Sequence, residues 1–146
     1  MHTVAIHCQA PDATVAYAAD ELARCLNLLP GICARVSPAN AATADSEYHL
    51  RLGLFADMGL EPLQAAPADQ DALAIEVGAA GGVLAGSNPR SVLFAVYRYL
   101  DTVGFRWVRP GPTGEHVPSS GWPLPSMTLR DQASYRHRGI CIEGAV

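Results

Sequence analysis

Residues 71–118, DALAIEVGAAGGVLAGSNPRSVLFAVYRYLDTVGFRWVRPGPTGEHVP, constrain the fold more than any other part of the chain. Leu73, Ile75 and Val77 fall at alternate positions, as a strand with one buried face requires. The segment from Gly78 to Gly82 supplies positions tolerant of positive φ, so Val83 to Ala85 are expected to return antiparallel as a hairpin. Asn88 carries a side-chain oxygen suited to capping a helix. Pro89 follows at the first helical position, where its missing N–H costs nothing. Val92, Val96, Tyr99, Leu100 and Val103 then form one apolar stripe before Gly104 stops the helix. Phe105 to Val108 reads as a further strand. Strand, turn, strand, capped helix and strand, with a break residue at each junction, leave room for a helix laid on a sheet and little else.

The rest of the chain extends this pattern. Thr3 to Cys8 alternates weakly and reads as a first strand. Asp12 is placed to cap a helix reaching about Leu29, with Val15, Ala19, Leu22, Cys25 or Leu26, and Leu29 on one face and Pro30-Gly31 closing it. Ile32 to Val36 predicts a short strand, and residues 37–46 a polar loop. Tyr48, Leu50, Leu52 and Leu54 give the clearest period of two. His49 and Arg51, between them, read as the solvated or helix-shielded face of that strand. Residues 55–70 lack a sustained period and contain Pro62 and Pro67, so a connection with at most one helical turn is expected. Residues 110–125 turn to Gly, Pro and Ser, and Met127 to Leu129 reads as a short strand. The sum is one α+β layer pair: a mixed, mostly antiparallel β-sheet with two main helices packed on one face.

Composition removes several function classes. Of the 146 residues, 49% are hydrophobic and 16% charged, which favours a packed core over disorder. The net charge of -4 and the scattered basic residues argue against nucleic acid as a partner. No apolar run approaches the ~18 residues of a membrane span. No signal peptide is visible, which favours the cytoplasm. Cys8, Cys25, Cys33 and Cys141 show no metal-ligand spacing and read as buried free thiols.

Tests for chemistry find little. Gly78 to Gly86 invites a dinucleotide-binding reading, but a strand intervenes between these glycines and the helix, so the helix N-terminus cannot meet a pyrophosphate there. Ser87 belongs to the helix start rather than to a nucleophile motif, and Glu115-His116 stands alone in a turn-rich segment. No catalytic residue, metal site or cofactor is expected in these residues. Trp107 and Trp122 have the ring surface to stack on sugars, though a packing role is the simpler expectation. Tyr135 to Val146 (YRHRGICIEGAV) ends in an apolar strand, Ile140-Cys141-Ile142, with Glu143 at its C-terminal end.

The run Gly82-Val83-Leu84-Ala85-Gly86-Ser87-Asn88-Pro89-Arg90 with Tyr97 and Leu100, then Gly104-Phe105-Arg106-Trp107 and Pro110-Gly111-Pro112, carries a resemblance. So do the early helix around Asp20-Glu21-Leu22 and the terminal Arg138-Gly139-Ile140-Cys141-Ile142-Glu143. Nearly the whole chain resembles the N-terminal domain that precedes the catalytic barrel in α-glucuronidases, β-N-acetylhexosaminidases and related bacterial glycoside hydrolases. Ser91 stands where glycine is common in those helix starts.

The resemblance implies an accessory domain over residues 1–130. It implies that residues 131–146 are a linker and the first strand of a truncated (β/α)8 barrel. The catalytic carboxylates would then lie downstream, leaving this stretch inactive by itself within a carbohydrate-active hydrolase. By the resemblance, Arg138 and Glu143 would sit at the mouth or base of the first barrel strand and take part in substrate binding in the intact enzyme; Glu143 follows the strand, at the end that faces the active site in such barrels. The implied partners are the downstream barrel and, through it, a carbohydrate. The alternative is a stand-alone carbohydrate-binding or protein-interaction module.

Overall fold

The computed structural model describes residues 1–10, 12–38, 48–61 and 70–135. The expectations for Cys141, Arg138, Glu143 and the terminal strand lie outside these residues. The described chain is an α+β unit built on strand β1 (His2–Cys8), helix α1 (Ala13–Leu26), strands β2 (Ile32–Pro38) and β3 (Tyr48–Leu54), and the single turn α2 (Phe55–Met58). Strands β4 (Ala72–Gly78) and β5 (Gly81–Gly86), helix α3 (Pro89–Val103), the short strands β6 (Arg106–Trp107) and β7 (Glu115–His116), and strand β8 (Met127–Gln132) complete it.

Six strands form one sheet in the order β2-β1-β3-β5-β4-β8, and β6 pairs with β7 in a separate hairpin. The sheet is mixed, but the expectation of mostly antiparallel pairing is corrected. Strands β1 and β2, β1 and β3, and β3 and β5 pair parallel, whereas only β4–β5 and β4–β8 pair antiparallel. The reason is the connection. A helix between β1 and β2 carries the chain back to the same end of the sheet, so the second strand runs in the same direction.

Both main helices lie on one face. Val4, Ile6, Tyr48, Leu50, Leu52, Ile75 and Leu84 point into a core shared with Val15, Leu22 and Leu26 of α1 and Val92, Val96 and Leu100 of α3. The opposite face is lined by small residues. There Ala72, Ala74, Val83 and Ala85 are buried with Phe55 of α2, and Met58 packs beside them. Helix α1 ends at Leu26 rather than near Leu29, because the Asn27 side chain turns to β2. Its amide donates to Ala34 O at 3.0 Å and accepts from Ala34 N at 2.8 Å. Gly81 has φ +109, and a Cβ there would collide with the His49 backbone across the β3–β5 pairing, so this hairpin corner requires glycine. Gly86 is needed for a different reason: β5 ends against the first turn of α3, and a Cβ would strike the backbone at Ser91 and Val92.

Candidate functional site

The densest polar constellation lies where β4 begins beside the start of α3. Asp71 is only 7% exposed. Its Oδ1 accepts from Asn88 Nδ2 at 3.1 Å, Arg90 Nε at 3.1 Å and Ser91 Oγ at 3.0 Å, while Arg90 Nη2 lies 3.0 Å from Oδ2. Asn88 caps α3 by accepting from Ser91 N at 2.9 Å. Burial pushes the Asp71 carboxyl up, but the donors from Asn88, Arg90 and Ser91 outweigh it and hold the group below the ordinary aspartate range. Such a carboxylate is a weak base. Ser87 gives its own proton to Gln70 O at 2.8 Å, so neither serine is set up as a nucleophile. The chemistry here is cohesion between β4, β5 and α3.

A second constellation joins α1 to the β6–β7 hairpin. Arg24 donates through Nε to Glu21 Oε2 at 2.7 Å and through Nη2 to Glu115 Oε1 at 2.6 Å. Trp107 Nε1 donates to Glu115 Oε1 at 3.0 Å, and Tyr97 OH donates to Glu21 Oε1 at 3.1 Å. The Arg24 guanidinium holds both glutamates below their ordinary values. Glu21, Cys25 and Glu115 also place ligand-type atoms within 4.8 Å of one another. A metal does not fit this set, because Arg24 already supplies the cation and its Nη2 reaches Cys25 Sγ at 3.2 Å. Burial, then the neighbouring Glu21, pushes the Cys25 thiol up to about 12, so it stays protonated and unreactive at neutral pH.

A third group sits on the sheet face away from the main helices. The rings of His7 and His49 stack at 5.6 Å, and His7 Nε2 lies 3.3 Å from His49 Nδ1. His7 is 7% exposed and its Nδ1 has no hydrogen-bond partner. A bare lone pair costs less than a stranded N–H, which favours the tautomer donating from Nε2 to His49. Arg51 is exposed on this same face, as its position between core leucines requires.

The two tryptophans differ. Trp122 stacks on His2 at 4.4 Å and meets Tyr48 edge-on at 5.4 Å, a packing role. Trp107 is 39% exposed, with Phe105 stacked against it at 6.0 Å and Tyr97 edge-on at 5.0 Å. Cys25 is a buried free thiol, whereas Cys8 and Cys33 are free but only partly buried, which corrects the expectation for those two. Glu115, read in sequence as isolated, is instead an ion-pair partner of a residue 91 positions away. No local signal links them; only the return of the hairpin onto α1 does.

No family model and no curated protein matches this chain. Among solved structures, it is similar to a GH138 enzyme targeting pectin rhamnogalacturonan II. The TM-score is 0.50 at 12% identity, over 69% of this chain and 13% of that one. It is also similar to CpGH84D, with a TM-score of 0.37 at 17% identity over 64% of this chain and 16% of that one. The chain therefore spans only a small part of the length of either protein. At 12% identity the likeness to the GH138 enzyme is one of fold alone: this α+β unit has an arrangement similar to that of a part of that protein.

Proposed function

We propose that this chain is a non-catalytic accessory domain of a glycoside hydrolase, supporting a downstream barrel that acts on carbohydrates. The observation that carries the reading is the fold likeness itself, because a glycoside hydrolase contains this arrangement as 13% of its length. The sequence resemblance to the domain preceding the barrel in α-glucuronidases and β-N-acetylhexosaminidases supports the same assignment. So does the use of the described polar clusters as fastenings between elements: Asp71 ties β4 to α3, and Arg24 ties α1 to the β6–β7 hairpin. In this reading residues 131–146 supply the linker and the first barrel strand, and Arg138 and Glu143 take part in substrate binding in the intact enzyme, Glu143 from the strand end that faces the active site.

The test compares purified residues 1–146 with a polypeptide extended into the downstream domain, on a panel of aryl glycosides. The expected outcome is no turnover by the short chain and hydrolysis by the long one. Removal of residues 1–130 from the long polypeptide is expected to lower its unfolding temperature. Turnover by the short chain that persists through repeated purification overturns the proposal, as does a long polypeptide indifferent to the removal.

A further inference from the structure

The outer side of α3 carries an exposed aromatic ring between two charges that the chain does not satisfy. Phe94 is 40% exposed, and core packing gives no reason for a phenylalanine there, since the buried stripe of α3 is Val92, Ala95, Val96, Tyr99 and Leu100. It borders an open groove of about 720 Å3 along the helix, whose lining includes Leu73 of β4 and Arg90, Arg98 and Asp101 of α3. A smaller cleft of about 80 Å3 joins Phe94 to Asp131 of β8. Strand β8 lies beside α3 and runs the opposite way. At one end Met127 Sδ is 3.3 Å from Thr102 Oγ1, and towards the other Asp131 shares its cleft with Phe94 and Ser91. Asp131 stands directly opposite Leu73 in the β4–β8 pairing, so both side chains rise on the helix side of the sheet. Arg98 follows Phe94 by one turn, about 6 Å further towards the helix C-terminus.

Most charges on this face close within the chain. Asp71 holds Arg90 at 3.0 Å, and Asp101 holds Arg106 at 2.9 Å. Arg98 and Asp131 remain. Both are exposed, and neither has an ion-pair partner among the described residues. Asp131 Oδ1 accepts from the backbone N–H of its neighbour Gln132 at 2.8 Å. One acid and one base thus sit on either side of an apolar centre, which makes the face complementary to itself. Half a turn about an axis through Phe94 exchanges its two ends. Each ring then meets its own copy, and each Arg98 meets the Asp131 of the other chain.

We propose that this face is an interface between two copies of the chain, with α3 antiparallel to α3, the Phe94 rings at the centre and two Arg98–Asp131 pairs at the rim. An aromatic centre inside a polar rim is the usual anatomy of such contacts. The mixed signs suit a second copy, because a ligand of a single charge would meet repulsion at one end of the face. The footprint is small. Helix α3 is about 22 Å long, and with its flank down to β8 the face is about 15 Å wide, roughly 330 Å2 in each copy. Specific interfaces bury about 800 Å2 per partner, so the dimer is weak, with a dissociation constant on the order of 100 µM.

The experiment is sedimentation equilibrium of the purified chain at low salt, from about 10 µM to about 1 mM, so that the range spans the expected constant. The average mass is expected to rise from one chain towards two. Arg98→Asp and Asp131→Arg, each checked for an unchanged unfolding midpoint, place like charges across both rim contacts and are each expected to weaken association at least tenfold. An equimolar mixture of these two variants restores opposite charges at both contacts and is expected to associate like the native chain. Phe94→Ser is expected to weaken association with no rescue by either variant. Should a charge reversal lower the midpoint, Arg98→Gln and Asp131→Asn replace the reversals and are each expected to weaken association several-fold.

A chain that stays monomeric at the highest concentration overturns the proposal. So does association indifferent to the single reversals, or a mixture no tighter than either variant alone. Dimers formed by residues 1–146 but absent from the polypeptide extended downstream overturn it in favour of the downstream domain as the occupant of this face. Association is read without sugar or turnover, so its failure leaves the accessory role standing.

Discussion

Replacing Asp71 with alanine is the most direct test of how this domain is fastened. The substitution removes the acceptor for Asn88 Nδ2, Arg90 Nε and Ser91 Oγ in a residue that is 7% exposed. The Arg90 guanidinium is 59% exposed and returns to water, so its share is about 0–1 kcal/mol. Each neutral donor to the charged carboxylate contributes about 1.5–3 kcal/mol before compensation. Compensation exists, because Ser91 Oγ still has Asn88 Oδ1 at 3.1 Å and Asn88 Nδ2 still has Ser87 Oγ at 3.4 Å.

The expected loss is therefore about 2–4 kcal/mol, a large part of the stability of a single domain. Urea denaturation followed by circular dichroism measures it. The sign of the pH dependence follows from the depressed carboxyl. Its contribution is fully present above the ordinary aspartate value of 3.8 and is lost as pH falls through the lower folded value. The gap between the native chain and Asp71→Ala should accordingly narrow in acid. A loss below about 0.5 kcal/mol at neutral pH, the range of an ordinary surface substitution, refutes the reasoning. A gap that is the same in acid as at neutral pH refutes the electrostatic part of it.

Two further outcomes follow from the buried groups. Tyr99 OH donates to Pro125 O at 3.1 Å and lies 3.3 Å from Tyr48 OH, so Tyr99→Phe strands two polar groups and should cost about 1–3 kcal/mol by the same denaturation assay. Alkylation of the folded chain near neutral pH, read by peptide mass spectrometry, should modify Cys8 and Cys33 well before Cys25. Prompt labelling of Cys25 would contradict its burial and its thiol value of about 12.

Local chemistry makes much of the fold legible. Asp12 caps α1, accepting from Thr14 N at 2.8 Å, and Asn88 caps α3 with Pro89 inside its first turn, as their positions in the sequence suggest. The alternation of Tyr48, Leu50 and Leu52 places all three in the core with His49 and Arg51 on the other face. Strand β8 is harder to read. Its six residues MTLRDQ lie at a sheet edge with one partner, so their alternation is blurred by exposure, and only Met127 to Leu129 reads as strand. The candidate clusters are illegible for a related reason. Nothing near Glu115 in sequence anticipates Arg24, and nothing near Asp71 anticipates Arg90 and Ser91, because each pairing is made by chain folding back over tens of residues.

What the sequence determined alone was the set of elements and their breaks: which segments cap, which alternate, and where Gly104 in its left-handed conformation must stop a helix. Those features depend on dihedral preferences and hydrogen bonds within a few residues. Tertiary structure decided the strand order, the parallel pairing of β1 with β2 and β3, the ion pairs across the helix layer, and the groove outside α3. These depend on which distant surfaces are buried together, and the free energy that selects among such arrangements is spread over the whole core rather than written in any one stretch of chain.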